Sequence, residues 1–227
     1  MRKALNRLLY RWGYRLERLS PFTMKLEQLS KHKGPLKFIQ IGANDGIRFD
    51  GLYEFVTSHR CVGIVVEPLP DLWEKLRFNY SDYPDIVPIK KAIHGSARLT
   101  QIYRVSPGDM GSLPDWTRGI ASFNKEHLLL HGVPAERIVS EDVECIPLMQ
   151  LLAETNCLDA DFIQIDAEGF DIAIMRMMDF ARFKPELIKY EHKNAPLEDQ
   201  HEIEAALRRQ GYKVRRHRGD TVAWRTS

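Results

Sequence analysis

Phe38-Ile39-Gln40-Ile41-Gly42-Ala43-Asn44-Asp45-Gly46 decides how this chain is read, and Glu67-Pro68 follows twenty-one residues after Gly46. The apolar run before Gly42 predicts a buried strand, and Cys61 to Val66 a second one, with a glycine turn and a helix between them. An acid then stands at the second strand's tip. This is the unit with which doubly wound proteins hold an adenosine group. Its glycines, Gly42 and Gly46, let the backbone approach the ligand, and the acid accepts hydrogen bonds from ribose hydroxyls.

The spacing speaks against a dinucleotide. A pyrophosphate needs G-x-G-x-x-G, so that a bare helix start faces the phosphates. Here Asn44 stands two residues after Gly42, and Asp45 brings negative charge to where phosphates would sit. An acidic, wider turn suits a cofactor with a positive centre and no phosphate, such as S-adenosylmethionine.

The length of 227 residues suits one α/β domain. Net charge is only +2, which gives no strong steering toward nucleic acid. The three cysteines, Cys61, Cys145 and Cys157, are far apart and form no C-x-x-C. That usage argues against a disulfide framework and a zinc site and favours a reducing, cytoplasmic compartment. No apolar run is long enough for a membrane span, and no internal repeat stands out.

Residues 1–20 break the even charge balance. Arg2, Lys3, Arg7, Arg11, Arg15 and Arg18 face a single acid, Glu17, while Leu5, Leu8, Leu9, Trp12, Leu16 and Leu19 recur at helical spacing. A basic amphipathic helix over 1–30 is expected ahead of a domain over 31–227. Three roles stay open for it: packing on the domain or on a second subunit in a homodimer, peripheral contact with anionic lipid, or a removed targeting peptide.

Strands and helices then alternate. The pattern predicts a helix over Pro70–Tyr80, a third strand over Ile86–Ile93 placed near an edge by Pro88, and a short strand over Arg98–Val105. From 106 to about 140 the alternation lapses into a Gly- and Pro-bearing insert with a helix near Phe123–His131; inserts of this kind act as lids or binding loops. Trp116, Arg118, Ser122, Phe123 and Lys125 in it suit stacking on a sugar. Regular structure resumes with a helix over Pro147–Thr155 and a strand over Asp161–Asp166. A strand over Leu187–His192, a helix over Leu197–Gln210 and a hairpin turning at Gly219-Asp220 follow. Repeated strand-helix units ending in a hairpin imply a mostly parallel sheet with an antiparallel strand.

Five segments together resemble the FkbM family of S-adenosylmethionine-dependent methyltransferases. They are Ile39 to Gly46, Val66-Glu67-Pro68, Leu113-Pro114-Asp115-Trp116, Ile163 to Asp171, and Tyr190-Glu191-His192-Lys193. The most specific part is the D-x-E-G of Asp166 to Gly169 paired with the E-H of Glu191-His192. The resemblance implies a class I methyltransferase fold, a Rossmann-like doubly wound sheet of seven strands in the order 3-2-1-4-5-7-6. It also implies O-methylation of a hydroxyl on a sugar, glycolipid or polyketide-like small molecule, with no nucleic acid as partner. Gln40 departs from the family pattern, which commonly has an acid there to meet the cofactor's amino group; Asp45 is then expected to supply the charge.

In doubly wound sheets ligands lie at the carboxyl ends of the strands. Gly42, Ala43 and Asn44 are accordingly expected to line the methionine part, Glu67 to bridge the ribose hydroxyls, and Ala92 and Ile93 to meet the adenine. Asp166 and Glu168 are expected to orient the acceptor hydroxyl or the cofactor amine. His192 is the base best matched by its intrinsic pKa, with Glu191 orienting it. Asp166, Glu168 and Glu191 also suit Mg²⁺, which the sequence does not demand. Two competing readings remain: a catalytically silent adenosine-binding module, and a nucleic-acid methyltransferase, for which flipped-base motifs and a long basic groove are missing.

Overall fold

The computed structural model describes residues 20–48, 51–96, 98–109, 113–114, 117 and 119–225. Residues 1–19 of the basic helix expected over 1–30, and Trp116 and Arg118 of the insert, lie outside them. The description begins at Ser20, whose hydroxyl accepts the Thr23 N–H at 3.0 Å and so starts helix α1 (Pro21–Lys33). This helix crosses the boundary expected at residue 30. Phe22 and Leu26 on its inner face are buried against the core, and the Phe22 ring meets Phe162 edge-on at 6.1 Å. Residues 21–33 are thus packed on the domain.

The chain continues with β1 (Lys37–Ile41), α2 (Tyr53–Ser58), β2 (Val62–Val66), α3 (Pro70–Asn79) and β3 (Ile86–Ile89). After an intervening unit come α5 (Leu148–Glu154), β8 (Phe162–Ile165), α6 (Asp171–Arg176), β9 (Leu187–Glu191), α7 (Leu197–Arg209), β10 (Tyr212–His217) and β11 (Asp220–Arg225). Seven strands make one sheet in the order β10-β11-β9-β8-β1-β2-β3. Numbered along the chain by themselves and read from the β3 edge, they run 3-2-1-4-5-7-6. The five central and β3-side strands are parallel, and β11 enters antiparallel beside β9. The hairpin turns at Arg218-Gly219, one residue earlier than expected, because His217 pairs with Asp220.

Side chains alternate along each strand, so the sheet has two apolar faces. Ile39, Ile41, Ile163 and Ile165 pack toward α5, α6 and α7; Phe38 and Phe162 pack toward α1, α2 and α3. One local repetition escaped notice in the sequence: β1 and β8 share the residues Phe-Ile-Gln-Ile and pair in register, Phe38 with Phe162 through Ile41 with Ile165. The two phenylalanine rings stack at 5.6 Å.

The intervening unit is a second sheet, which the sequence pattern did not reveal. It consists of β4 (Ala92–Ile93), β5 (Leu99–Val105), β6 (Ala121–Ser122) and β7 (Ile138–Ile146), ordered β4-β7-β5-β6, with helix α4 (Lys125–Leu130) after β6. The expected third strand is therefore two strands. Ile86–Ile89 ends at the edge of the large sheet, where Pro88 costs no ladder bond on its outer side, and Ala92–Ile93 starts the second sheet. Leu69 and Leu72 of the α3 start pack against Ala92, Ile102, Val143 and Cys145. Arg104 of β5, almost fully buried, bonds both carboxylate oxygens of Asp71 (Nη2–Oδ2 3.0 Å) and reaches Glu141 at 3.2 Å. These contacts hold the second sheet over the carboxyl ends of the large one. No helix among the described residues is long and apolar enough to cross a membrane.

Candidate active site

Two turns meet at the carboxyl ends of β1 and β8. Gly42 opens the first with φ +76°, and the N–H groups of Gly42 and Ala43 both donate to the Val66 carbonyl at 3.0 Å. A Cβ on Gly42 would stand 1.8 Å from the Asp166 carbonyl oxygen, so a side chain there is excluded by backbone. Asn44 follows in the left-handed region at φ +52°. The second turn has Glu168 at φ +45° and Gly169 at φ +90°. A left-handed glutamate is strained and needs support. It has two contacts from the insert: the Ser122 hydroxyl donates to its carbonyl at 2.8 Å, and Nε2 of His127 lies 3.3 Å from its Oε2.

Each turn is tied by a buried carboxylate. Glu67 accepts the Asn44 N–H on one oxygen and the Leu69 N–H on the other, both at 3.0 Å. Burial pushes its pKa up to about 7 against the opposing effect of those bonds and of Arg104. Asp171 accepts the Ala167 N–H at 3.3 Å and the Glu191 N–H at 3.1 Å, and burial next to Glu191 likewise raises it to about 7.

The turns, the strand ends and the second sheet enclose a cavity of about 270 Å³. Gln40, Gly42, Ala43, Asn44, Glu67, Ala92, Ile93, Asp166 and Glu168 line it. Four expected residues do not. Asp45 accepts the N–H groups of Ile47 (3.0 Å) and Arg48 (2.7 Å) and closes the turn from outside. Gly46 is a packing glycine, since a Cβ would press on Leu76 and Tyr80 at 2.8 and 2.9 Å. Glu191 bonds Asn194 and pairs with Lys193 at 2.6 Å, one layer behind the wall. His192 is buried, its Nδ1 3.0 Å from the Thr221 hydroxyl, and burial, then Arg216, lower its pKa. It does not line the cavity, where the base suggested by its intrinsic pKa was expected. Nor do Asp166, Glu168 and Glu191 form a Mg²⁺ set: no three His, Cys, Asp or Glu side chains among the described residues converge on a metal position.

Other lining residues were missed in the sequence: Gln164, Lys193, His131, Ile102 and Ile120. Gln164 had a signal, the repeated Phe-Ile-Gln-Ile. The others depend on how the second sheet folds over. Phe123, anticipated as a stacking surface, does line the cavity, its ring held edge-on by Phe170 at 4.8 Å and His94 at 5.4 Å.

The electrostatics single out Asp166. It stands partly buried in the wall, and its pKa rises well above the ordinary carboxylate value through desolvation and then the charges of Glu168, Asp171 and Glu191. A cation placed in the cavity relieves that penalty; a phosphate increases it.

The methyltransferase FkbM domain model matches residues 40–214, from the first turn to the outer strand of the hairpin. This chain belongs to the FkbM methyltransferase family. As a member of that family the enzyme uses S-adenosylmethionine as methyl donor. No curated protein matches its sequence. Similar solved structures include the METTL16 methyltransferase domain, at 15% identity and TM-score 0.49 over 92% of this chain and 70% of that one. An O-methyltransferase from Bacillus cereus with S-adenosylhomocysteine has 11% identity and TM-score 0.46 over 98% and 90%. An RNA methyltransferase from Salinibacter ruber, also with S-adenosylhomocysteine, has 13% identity and TM-score 0.42 over 93% of each chain. The donor set of this methyltransferase fits its cofactor: a sulfonium and an ammonium bring positive charge, and the cavity's partly buried acid calls for it.

Proposed function

We propose that this methyltransferase acts on a hydroxyl oxygen of a small molecule, a sugar, glycolipid or polyketide-like compound. The observation that carries this reading is the composition of one enclosed cavity. Beside the acidic turn of Asp166 and Glu168 stand an immobilised aromatic face, Phe123, and the hydrogen-bonding side chains of His131 and Lys193. An aromatic face ringed by polar groups is what a sugar-like acceptor requires.

The cofactor supplies a methyl group on a sulfonium centre. In this reading Glu67 accepts from the ribose hydroxyls with the lone pairs its two backbone bonds leave over. Ala92 and Ile93 face the adenine, Gly42 to Asn44 offer backbone to the methionine part, and Gln40 with Asp166 meets its ammonium. The second sheet over the strand ends holds acceptor and donor in line, which is the main thing an activated methyl group needs.

Two measurements test this. Calorimetry is expected to show binding of S-adenosylmethionine and none of NAD. Transfer of a labelled methyl group to fractionated cell extract is expected to yield alkali-stable label in a glycan or lipid fraction. Label in nucleic acid or on nitrogen alone defeats the proposal.

A further inference from the structure

We propose that Lys193 is a catalytic residue of this enzyme: its ammonium donates a hydrogen bond to the acceptor oxygen and stabilises the ionised form of that oxygen for attack on the methyl group. This rests on the oxygen-acceptor reading above and names the group that activates the oxygen.

The hairpin fixes the place of Lys193, just beyond β9. The Gly219 carbonyl accepts the N–H groups of His192 at 2.9 Å and Lys193 at 3.2 Å. The alkyl stem lies against the turn, where a Cβ on Gly219 would stand 2.9 Å from its Cδ. Glu191 completes the hold: its Oε1 lies 2.6 Å from Nζ, while its Oε2 accepts from the Asn194 amide. The acid expected to orient His192 thus holds a lysine.

Lys193 lines the cavity, yet its side chain is 52% exposed. It therefore stands on the open side, where an acceptor enters. Two strands, β8 and β1, separate it from Glu67 at the tip of β2, the end assigned above to the ribose. Two other cations line the cavity. Lys91 pairs with Glu144 at 3.0 Å, and Arg48 belongs to the first turn, 3.9 Å from Asp45. Lys193 stands by the second turn, where its charge meets those of Glu168 and Asp166.

An ammonium has three donors, and the Glu191 oxygen takes one. The group also keeps its charge. Burial lowers its pKa, but the bond and charge of Glu191, then the charges of Glu168 and Asp166, outweigh that and move it above the ordinary lysine value. Lys193 is therefore a donor and not a base. A cation in contact with an acid lowers the acid's pKa by about 1–3 units, which makes the ionised oxygen about 10- to 1000-fold more abundant at neutral pH. The step balances without a further reactant. The hydroxyl proton leaves to water on the open side, and an oxygen lone pair forms the bond to the methyl carbon. The bond from that carbon to sulfur breaks and its electron pair stays on sulfur, leaving a neutral thioether. Lys193 keeps its own protons throughout.

Wild type is tested first, with S-adenosylhomocysteine bound, by acetylating its lysines with acetic anhydride and reading each by peptide mass spectrometry. The probe is the extract fraction that wild type methylates on oxygen. That fraction is expected to protect Lys193 and to leave the exposed Lys213 unchanged; Lys193 acetylated equally with and without it overturns the proposal. In labelled methyl transfer, Lys193→Gln is expected to lower kcat at pH 7 by about 10-fold or more and to move the rise of kcat with pH upward by at least about 1 unit, with unchanged affinity for S-adenosylhomocysteine. An unshifted pH profile overturns the proposal, and where that variant does not fold the protection of wild type still decides. Lys193→Cys alkylated with bromoethylamine, which rebuilds the ammonium, is expected to regain much of the lost rate; the three native cysteines are buried and spared. Wild type that labels nitrogen or carbon only, or nothing, overturns the oxygen-acceptor reading and this proposal with it, whereas label on oxygen with Lys193 unprotected overturns this proposal alone.

Discussion

The two central strands, β1 and β8, carry the same four residues, lie side by side in register and end in turns with a left-handed third residue, Asn44 and Glu168. They part at the residue after the strand. After β1 it is Gly42, with no side chain; after β8 it is Asp166, with a partly buried acid. The close approach of the second turn dictates the glycine of the first, because the backbone carbonyl of Asp166 occupies the place where a Gly42 side chain would be. One turn thus offers the ligand its backbone and the other its charge. Identical strands set the frame, and one residue at each tip divides the labour.

Breaking that division at Gly42 has the largest expected effect. Gly42→Ala meets backbone at 1.8 Å and a φ of +76°, and is expected to cost about 3 kcal/mol or more in urea unfolding. The same substitution at Gly34, where a Cβ meets nothing within 4 Å, is expected to cost about 1–3 kcal/mol, from its backbone conformation at φ +81° and ψ −140° alone.

The carboxylates that tie the two turns come next. Glu67 and Asp171 have folded pKa values of about 7, above the unfolded carboxylate range. Each folded state therefore keeps a proton that the unfolded chain has lost. The stability this contributes is full below pH 4 and is lost as pH rises through 7, by up to about 3 kcal/mol per group. Thermal denaturation of the ligand-free protein is expected to show that decline. Glu67→Gln is expected to flatten its share of the slope and to weaken cofactor binding; Asp171→Asn is expected to flatten its share and leave binding close to wild type.

Sharpening the comparison at the second tip, Asp166→Asn keeps the shape and removes the charge. Affinity for the sulfonium cofactor is expected to fall about 10-fold more than affinity for its neutral thioether product, in paired titrations. The smallest effect is expected one layer out. His192→Ala loses the Thr221 contact and is expected to cost about 1 kcal/mol of stability, with kcat within about twofold of wild type.

The large sheet was legible in the sequence because its strands are apolar runs bounded by glycine, proline and acids. Phe162–Ile165 is buried at every position, and so are four of the five residues of Val62–Val66. The second sheet was not. Its long strand β7 reads Ile-Val-Ser-Glu-Asp-Val-Glu-Cys-Ile, and Glu141, Asp142 and Glu144 are poor strand formers that hide the alternation. With β7 unseen, the fold of the insert over the cavity could not be anticipated in detail, and His131 was only the end of the helix expected in it. Glu67 and Asp166 were legible from position alone, since strand tips converge in this topology. His192 sits at a strand tip too, but beside the antiparallel β11, whose Thr221 draws its ring aside.

That antiparallel neighbour has a consequence for assembly. Strand β10 leaves the ribosome before β11, yet its hydrogen-bonding partner in the sheet is β11. Tyr212 to His217 therefore joins the sheet only through Asp220 to Arg225, which lie beside β9. The sheet is completed from the inside by the later arrival, and the margin next to His192 is expected to be the last part of the barrier to close and the first to open under strain.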